Sequence, residues 1–108
     1  MRRELLLTEA AATDLEQLRH GLAAENSAAY ADRMLRRMLE LMVKVAKYPA
    51  MSAVPAELRE LGMPEFRQAW LRHYRLVYRL HDNRVIIYII ADARRDLQCL
   101  LARRLLWA

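Results

Sequence analysis

Residues 74–91 read YRLVYRLHDNRVIIYIIA, and this stretch decides the fold class. Successive side chains of a β-strand point to opposite faces. In residues 74–81 one face is apolar and the other is rich in arginine, the two sets being Leu76, Tyr78 and Leu80 against Arg75, Val77, Arg79 and His81. Residues 81–84 predict a tight turn, because Asp and Asn tolerate the left-handed conformation. Residues 85–91 are β-branched and apolar on both faces, which predicts a central, covered strand.

The residues before these two strands predict two further strands and two helices. Residues 66–73 predict a strand, and residues 3–7 predict a short N-terminal one. A first helix follows Thr8, with apolar residues at steps of three and four. A second is capped by Asn26 or Ser27 and ends before Pro49. Residues 49–64 form a loop with room for one helical turn over residues 56–61.

A last helix begins at Asp96 or in the loop before it. One side of this helix is apolar, and the other carries Arg103 and Arg104. The order is therefore strand, helix, helix, loop, three antiparallel strands and helix. Because the strands are too apolar to face water on both sides, the helical hairpin has to cover one face of the sheet. This predicts an α+β fold of two layers, in which an N-terminal strand and a helical hairpin pack on an antiparallel sheet, with a C-terminal helix.

Length and composition exclude several classes of protein. The 108 residues predict a single domain over residues 1–108, long enough to fold without disulfides or metal. The longest apolar run has seven residues, whereas a membrane span needs about twenty, and the N-terminus lacks a signal-peptide pattern. The single cysteine, Cys99, fits a reducing cytoplasm. Scattered histidines predict no metal site, and two glycines leave no phosphate-binding loop, so no cofactor is expected.

The positive charge lies in the second half of the chain. Lys and Arg number 18 against 13 Asp and Glu, a net charge of +5. Residues 1–63 hold nine of each sign, and residues 64–108 hold nine arginines and four acids. Arginine binds phosphates and carboxylates as a planar fork. A phosphate or an acidic protein segment is therefore the favoured partner, although a G+C-rich genome would also replace Lys with Arg.

Six arginines make up the predicted binding surface: Arg67, Arg72, Arg75, Arg79, Arg94 and Arg95. Arg75 and Arg79 are four residues apart on one strand and so share a face, roughly 13 Å from one another. If the hairpin covers the opposite face, these arginines line an open one. The alternative is that they only solvate an exposed sheet.

The last helix and the histidines leave their roles open. The leucine side of the helix either packs on its own sheet or offers a groove to a partner. The groove residues would be Leu97, Leu100, Leu101, Leu105 and Trp107. His73 and His81 are the residues suited to acid–base work, but surface histidines without a role are common.

The segment Tyr74-Arg-Leu-Val-Tyr-Arg79, then a turn, an apolar strand and Asp92-Ala-Arg-Arg-Asp96, resembles the RelE/ParE superfamily of toxins. Residues 12–15 (Ala-Thr-Asp-Leu) and Tyr48-Pro49 are also similar to the family. These proteins are the toxins of type II toxin–antitoxin modules. The resemblance implies a cytoplasmic bacterial protein that inhibits growth unless an antitoxin binds it in a hetero-oligomer. The antitoxin usually uses an extended, acidic or amphipathic segment.

Two activities divide this superfamily. RelE-like members cut mRNA on the ribosome, and ParE-like members poison DNA gyrase. Arg75 and Arg95 match arginines of the RelE pattern, but no Tyr or His follows Arg95 where the cutting members have one. Residues 66–71 also lack the paired lysines of RelE. Cleavage needs a proton acceptor and a donor, and arginine is poorly suited to either role.

The resemblance therefore favours a gyrase inhibitor. The alternatives are a ribosome-dependent endoribonuclease, with Arg75 and Arg95 on the phosphate and His73 or His81 as base, and an inactive toxin fold that only binds a partner.

Overall fold

The computed structural model describes residues 3–51, 54, 56–60, 62, 65–93 and 95–106. The elements follow the predicted order and confirm the α+β class. They are β1 (Glu4–Leu7), α1 (Glu9–Glu25), α2 (Ala28–Lys47), α3 (Ala56–Glu60), β2 (Phe66–Leu71), β3 (Tyr74–His81), β4 (Arg84–Asp92) and α4 (Leu97–Leu106), with a 3₁₀ turn over Pro49–Met51.

The four strands form one sheet in the order β1-β4-β3-β2. β2, β3 and β4 are antiparallel neighbours, and β1 lies parallel to β4 at the sheet edge. β4, the strand predicted to be covered, has strands on both sides. β1 pairs only with Arg84–Ile87, so the rest of β4 has no strand beside it on that edge.

Two tight turns connect the antiparallel strands. Arg72 and His73 join β2 to β3, and Asp82 and Asn83 join β3 to β4. Arg72 and Asp82 have φ values of 55° and 54°. The left-handed backbone at Arg72 ends β2 at Leu71, so the strand predicted over residues 66–73 is two residues shorter. The turn predicted at residues 81–84 is confirmed.

Side-chain oxygens cap the two long helices. Thr8 Oγ1 accepts a hydrogen bond from the Ala11 amide at 3.1 Å, and Ser27 Oγ accepts one from the Tyr30 amide at 3.0 Å. Each oxygen satisfies an amide that has no partner within its helix. Of the two predicted caps for α2, Ser27 is therefore the one used.

The hairpin of α1 and α2 packs on one face of the sheet, which we call the hairpin face. Its core includes Met38, Met42, Leu76, Tyr78 and Ile87, all fully buried. The Tyr78 hydroxyl donates a 2.7 Å hydrogen bond to the Pro49 carbonyl, which ties the 3₁₀ turn to this face.

The opposite face, which we call the second face, has its own apolar core. It consists of Leu58 of α3, Phe66, Val77, Ile89 and Ala91 of the sheet, and Leu97, Leu100 and Leu101 of α4. A bulge in β4 decides which of its side chains enter each core. Val77 pairs with Ile89 while Tyr78 pairs with Ile87, so Tyr88 is an extra residue. The bulge reverses the alternation along β4, so that Ile87 packs in the hairpin-face core and Ile89 in the second-face core.

Candidate partner-binding surface

The strand register arranges the second face in three cross-strand rows. Directly paired residues share a face. The rows are Trp70, Arg75 and Ala91; Gln68, Val77 and Ile89; and Phe66, Arg79, Ile86 and Leu6. The register therefore places Arg75 and Arg79 on one face, as predicted, with a row between them.

That middle row is covered by apolar side chains. Val77 and Ile89 are fully buried in the cluster formed with α3 and α4. The expectation that the arginines line one open face is therefore wrong, because the leucines of α4 occupy the space between them. Arg75 and Arg79 instead lie half-buried on either side of this apolar cover.

Arg75 stacks on an exposed aromatic ring. Its guanidinium carbon lies 5.1 Å from the centre of the Trp70 ring, and Trp70 is 45% exposed. Stacking orients the planar guanidinium, the group with which arginine binds carboxylates and phosphates. Tryptophan and arginine also dominate the residues that contribute most to protein interfaces. We call this pair the Trp70–Arg75 stack.

Arg79 lies on the other side of the apolar cover. Its Nε is buried and has no acceptor among the described residues. Its neighbours across the sheet are Phe66 and Ile86, and neither side chain can accept a hydrogen bond. An acceptor from a partner would satisfy this nitrogen.

The other predicted arginines do not join a single cluster. Arg67 alternates with Phe66 along β2 and so points toward the hairpin face. Arg72 is exposed in the turn, and Arg95 is exposed beyond β4. Arg94 lies outside the described residues.

His73 lies at the same end of the sheet as the Trp70–Arg75 stack. Its Nε2 is 3.8 Å from Asp92 Oδ2, and its ring lies 4.3 Å from that of Tyr74. The imidazole is largely exposed, and the His73 carbonyl accepts a 2.7 Å hydrogen bond from the Ala93 amide. The structure thus brings His73 near a carboxylate. At the other end of β3, His81 Nε2 lies 3.7 Å from Asp82 Oδ2.

The leucines of α4 are used within the chain. Leu97, Leu100 and Leu101 are 2%, 6% and 2% exposed against the second face. Of the two alternatives, packing on the chain's own sheet is the one seen, so these three residues do not form an open groove. The Leu105 side chain and Trp107 lie outside what the structure describes.

An ion pair that the sequence reasoning missed holds α4 in this position. Arg104 of α4 makes two hydrogen bonds to the Asp14 carboxylate of α1, at 2.7 and 2.8 Å. The Asp14 side chain is 6% exposed and that of Arg104 16% exposed. The prediction that Arg104 lies with Arg103 on the side of α4 opposite the leucines is wrong, because Arg104 turns inward to bind the Asp14 carboxylate.

The Asp14–Arg104 pair also makes hydrogen bonds to the backbone of β4 along the edge that β1 does not cover. The Thr8 amide donates to the Ile87 carbonyl at 3.0 Å, where β1 ends. Beyond that point Arg104 donates to the Tyr88 carbonyl at 2.7 Å, and Asp14 accepts from the Ile90 amide at 3.0 Å. The side chains therefore satisfy backbone groups that would otherwise be buried without partners.

A sequence signal for this pair exists. Asp14 falls among the core-facing positions of α1, between Ala11 and Leu15, and Arg104 is four residues after Leu100 on the packed side of α4. A charged residue in an apolar helical stripe indicates a buried partner.

The described residues include no group of three or more His, Cys, Asp or Glu side chains that could hold a metal ion. Among the same residues, no helix is both long enough and apolar enough to cross a bilayer.

A small α+β protein with one four-stranded sheet, a helical hairpin and an arginine-bearing second face belongs to a class with solved structures. The chain is similar to a chromosomal ParDE toxin–antitoxin system of P. aeruginosa at 17% identity, with a TM-score of 0.73, covering 85% of this chain and 97% of that one. It is similar to the free E. coli toxin RelE, in mutant form, at 21% identity and a TM-score of 0.67, covering 99% and 98%.

The RelBE2 toxin–antitoxin complex of Mycobacterium tuberculosis is also similar, at 20% identity and a TM-score of 0.61, covering 85% and 99%. A search of curated proteins found no match. The family model for the ParE toxin of the type II toxin–antitoxin system parDE matches residues 5–97. The chain therefore belongs to the ParE toxin family, within the RelE/ParE superfamily, and is the toxin of a type II toxin–antitoxin system.

Proposed function

We propose that this toxin inhibits growth by binding DNA gyrase in the cytoplasm, and that a cognate antitoxin neutralises it. The observation that carries the proposal is the apolar cover between Arg75 and Arg79. The leucines of α3 and α4 bury Val77 and Ile89, so the second face does not offer one continuous phosphate-binding cleft. The match to the ParE family over residues 5–97 supports the same target.

The chemistry of the site also favours inhibition by contact. Cleavage of RNA by its own 2′-hydroxyl needs one group to accept a proton and another to donate one. An arginine side chain stays protonated in proteins and only donates hydrogen bonds. The Trp70–Arg75 stack therefore contributes binding rather than proton transfer. Its exposed ring and oriented guanidinium are suited to contact with a partner protein.

A ribosome-dependent endoribonuclease is the second candidate, favoured by one observation. His73 lies 3.8 Å from the Asp92 carboxylate, which would orient the imidazole as a base. In that function Arg75 and Arg95 would hold the phosphate of the bound mRNA.

Induced expression in bacterial cells separates the two candidates. For the gyrase inhibitor we expect a DNA-damage response while mRNA ends stay as in uninduced cells. Cleavage at defined codon positions, without the DNA-damage response, would replace the first candidate with the second. Normal growth at a verified level of folded toxin would overturn both.

Replacing Arg75 and Arg95 with alanine is expected to weaken toxicity far more than folding. Loss of an interface arginine commonly costs about 2 kcal/mol, which corresponds to roughly 30-fold in affinity. Arg95 is exposed and Arg75 half-buried, so the melting temperature should change little. The measurements are growth after induction and thermal unfolding followed by circular dichroism.

Arg19→Ala is the control for this double variant, because Arg19 is exposed on α1, away from the second face. It should leave toxicity unchanged. Unfolding of the Arg75→Ala/Arg95→Ala protein at ordinary temperature would instead assign the two arginines a structural role.

A further inference from the structure

The helical hairpin is neutral as a whole but strongly polarised. α1 carries four acids (Glu9, Asp14, Glu16 and Glu25) and Arg19, a net charge of −3. α2 carries five basic residues (Arg33, Arg36, Arg37, Lys44 and Lys47) against Asp32 and Glu40, a net charge of +3. All seven charged side chains of α2 are exposed. The zero balance of residues 1–63 therefore conceals a cationic helix next to an acidic one.

α2 also exposes a line of apolar side chains. Leu35, Leu39 and Val43 are four residues apart and so form one stripe along the helix, which we call the α2 stripe. Leu39 is 47% and Val43 51% exposed, and Leu35 is half-buried. Tyr48, the residue that caps the end of α2, is 57% exposed.

The residues of the α2 stripe are not needed to fill the core. The core-facing side of α2 is already occupied by six buried residues: Ala31, Met34, Met38, Met42, Val45 and Ala46. Among the described residues, the remaining large exposed apolar side chains, Leu6, Trp70 and Leu80, lie singly on different strands. A single exposed apolar residue is ordinary, whereas several in one line indicate a contact surface.

Positive charge also lies at the C-terminal end of the stripe. Lys44 and Lys47 lie in the last turn of α2, which holds no acidic residue. Arg3 adds a third cation, because its Nη1 donates a 3.5 Å hydrogen bond to the Lys47 carbonyl. A segment that binds here gains by placing carboxylates at this end.

We propose that the α2 stripe is the docking surface for an acidic amphipathic helix of the antitoxin. The proposal rests on the proposed neutralisation by an antitoxin, and it places that contact on the hairpin, away from the second face. Apolar residues of the partner helix, spaced three and four apart, would pack on Leu39 and Val43. Its carboxylates would face Lys44, Lys47 and Arg3.

The charge and shape of the surface favour this occupant over others. A nucleic acid would use the cations but leave Leu39 and Val43 exposed. A membrane surface requires a wider apolar face than one line of three residues. An acidic amphipathic helix satisfies the apolar side chains and the cations together.

The test is a binding titration with a Leu39→Glu/Val43→Glu variant. The probe is the purified product of the small reading frame adjacent to this gene, titrated against full-length toxin labelled at Cys99, an exposed thiol on α4. Two acids in place of two apolar contacts should raise the dissociation constant at least 100-fold, at about 1.4 kcal/mol for each factor of ten.

The matched control is Leu80→Glu/Ala102→Glu, which adds the same charge at exposed positions of β3 and α4. It should change the dissociation constant less than about threefold. A Leu39→Ser/Val43→Ser variant serves if the glutamates impair folding, and a loss of at least tenfold is expected. Lys44→Gln/Lys47→Gln should weaken binding and reduce its salt dependence.

An unchanged dissociation constant for folded stripe variants would overturn the proposal. Two other results would also overturn it, provided that the stripe variants still bind the antitoxin. One is a toxin dimer that the stripe variants disrupt, and the other is binding of the toxin to anionic vesicles through the stripe. Growth separates this proposal from the proposed gyrase function. The stripe variants should remain toxic and escape rescue by the antitoxin, whatever the toxin's target.

Discussion

Replacing Asp14 with alanine is expected to lower the free energy of unfolding by about 3–5 kcal/mol. The substitution would leave the Arg104 guanidinium buried without its carboxylate and the Ile90 amide without its acceptor. It would also release α4 from α1 and from the open edge of β4. Urea denaturation followed by circular dichroism measures the change.

Two comparisons make this prediction specific. Glu16→Ala removes an exposed acid from the same helix and should change stability by less than about 0.5 kcal/mol. Asp14→Leu with Arg104→Met replaces both charges with apolar groups, and such replacements are often neutral. If Asp14→Ala proved as mild as Glu16→Ala, the ion pair would not be what holds α4.

Replacing Leu101 with alanine is expected to cost about 2–5 kcal/mol of stability. Leu101 is 2% exposed and packs with Val77 and Ile89, so its removal would leave a cavity between α4 and the second face. The same denaturation experiment checks the value.

Cys99→Ser is the control, because Cys99 lies on the exposed side of the same helix. It should change stability by less than about 0.5 kcal/mol. Equal and small effects of both substitutions would mean that the leucine side of α4 is an open groove after all.

Local patterns in the sequence were enough to predict the elements of the fold. The β-branched run in β4, the polar turn at residues 81–84 and the helical spacing of α2 each follow from short-range preferences. Alternation along β3 also placed Arg75 and Arg79 on one face. These features depend on neighbours in the sequence, which is why they could be predicted.

The cover on the second face could not be derived in the same way. It depends on the bulge at Tyr88, which adds a residue to β4 and reverses its alternation. Nothing in an apolar run such as residues 85–91 shows where the extra residue falls. Without the position of the bulge, the residues of β4 that contact the leucines of α4 cannot be assigned.

The buried ion pair is a long-range feature. Asp14 and Arg104 are 90 residues apart in sequence, and each alone looks like an ordinary helical surface charge. Their shared clue is position, since each lies on the packed side of its helix. The net charge of residues 1–63 also hid the cationic surface of α2, because the negative charge of α1 cancels the positive charge of α2.

The most direct test of the account is a supercoiling assay with purified toxin and purified DNA gyrase. We expect the wild-type toxin to inhibit supercoiling and the Arg75→Ala/Arg95→Ala variant to inhibit it at least tenfold less. Preincubation with the antitoxin should restore supercoiling. Full gyrase activity at saturating folded toxin, with cleavage of ribosome-bound mRNA by the same preparation, would contradict it.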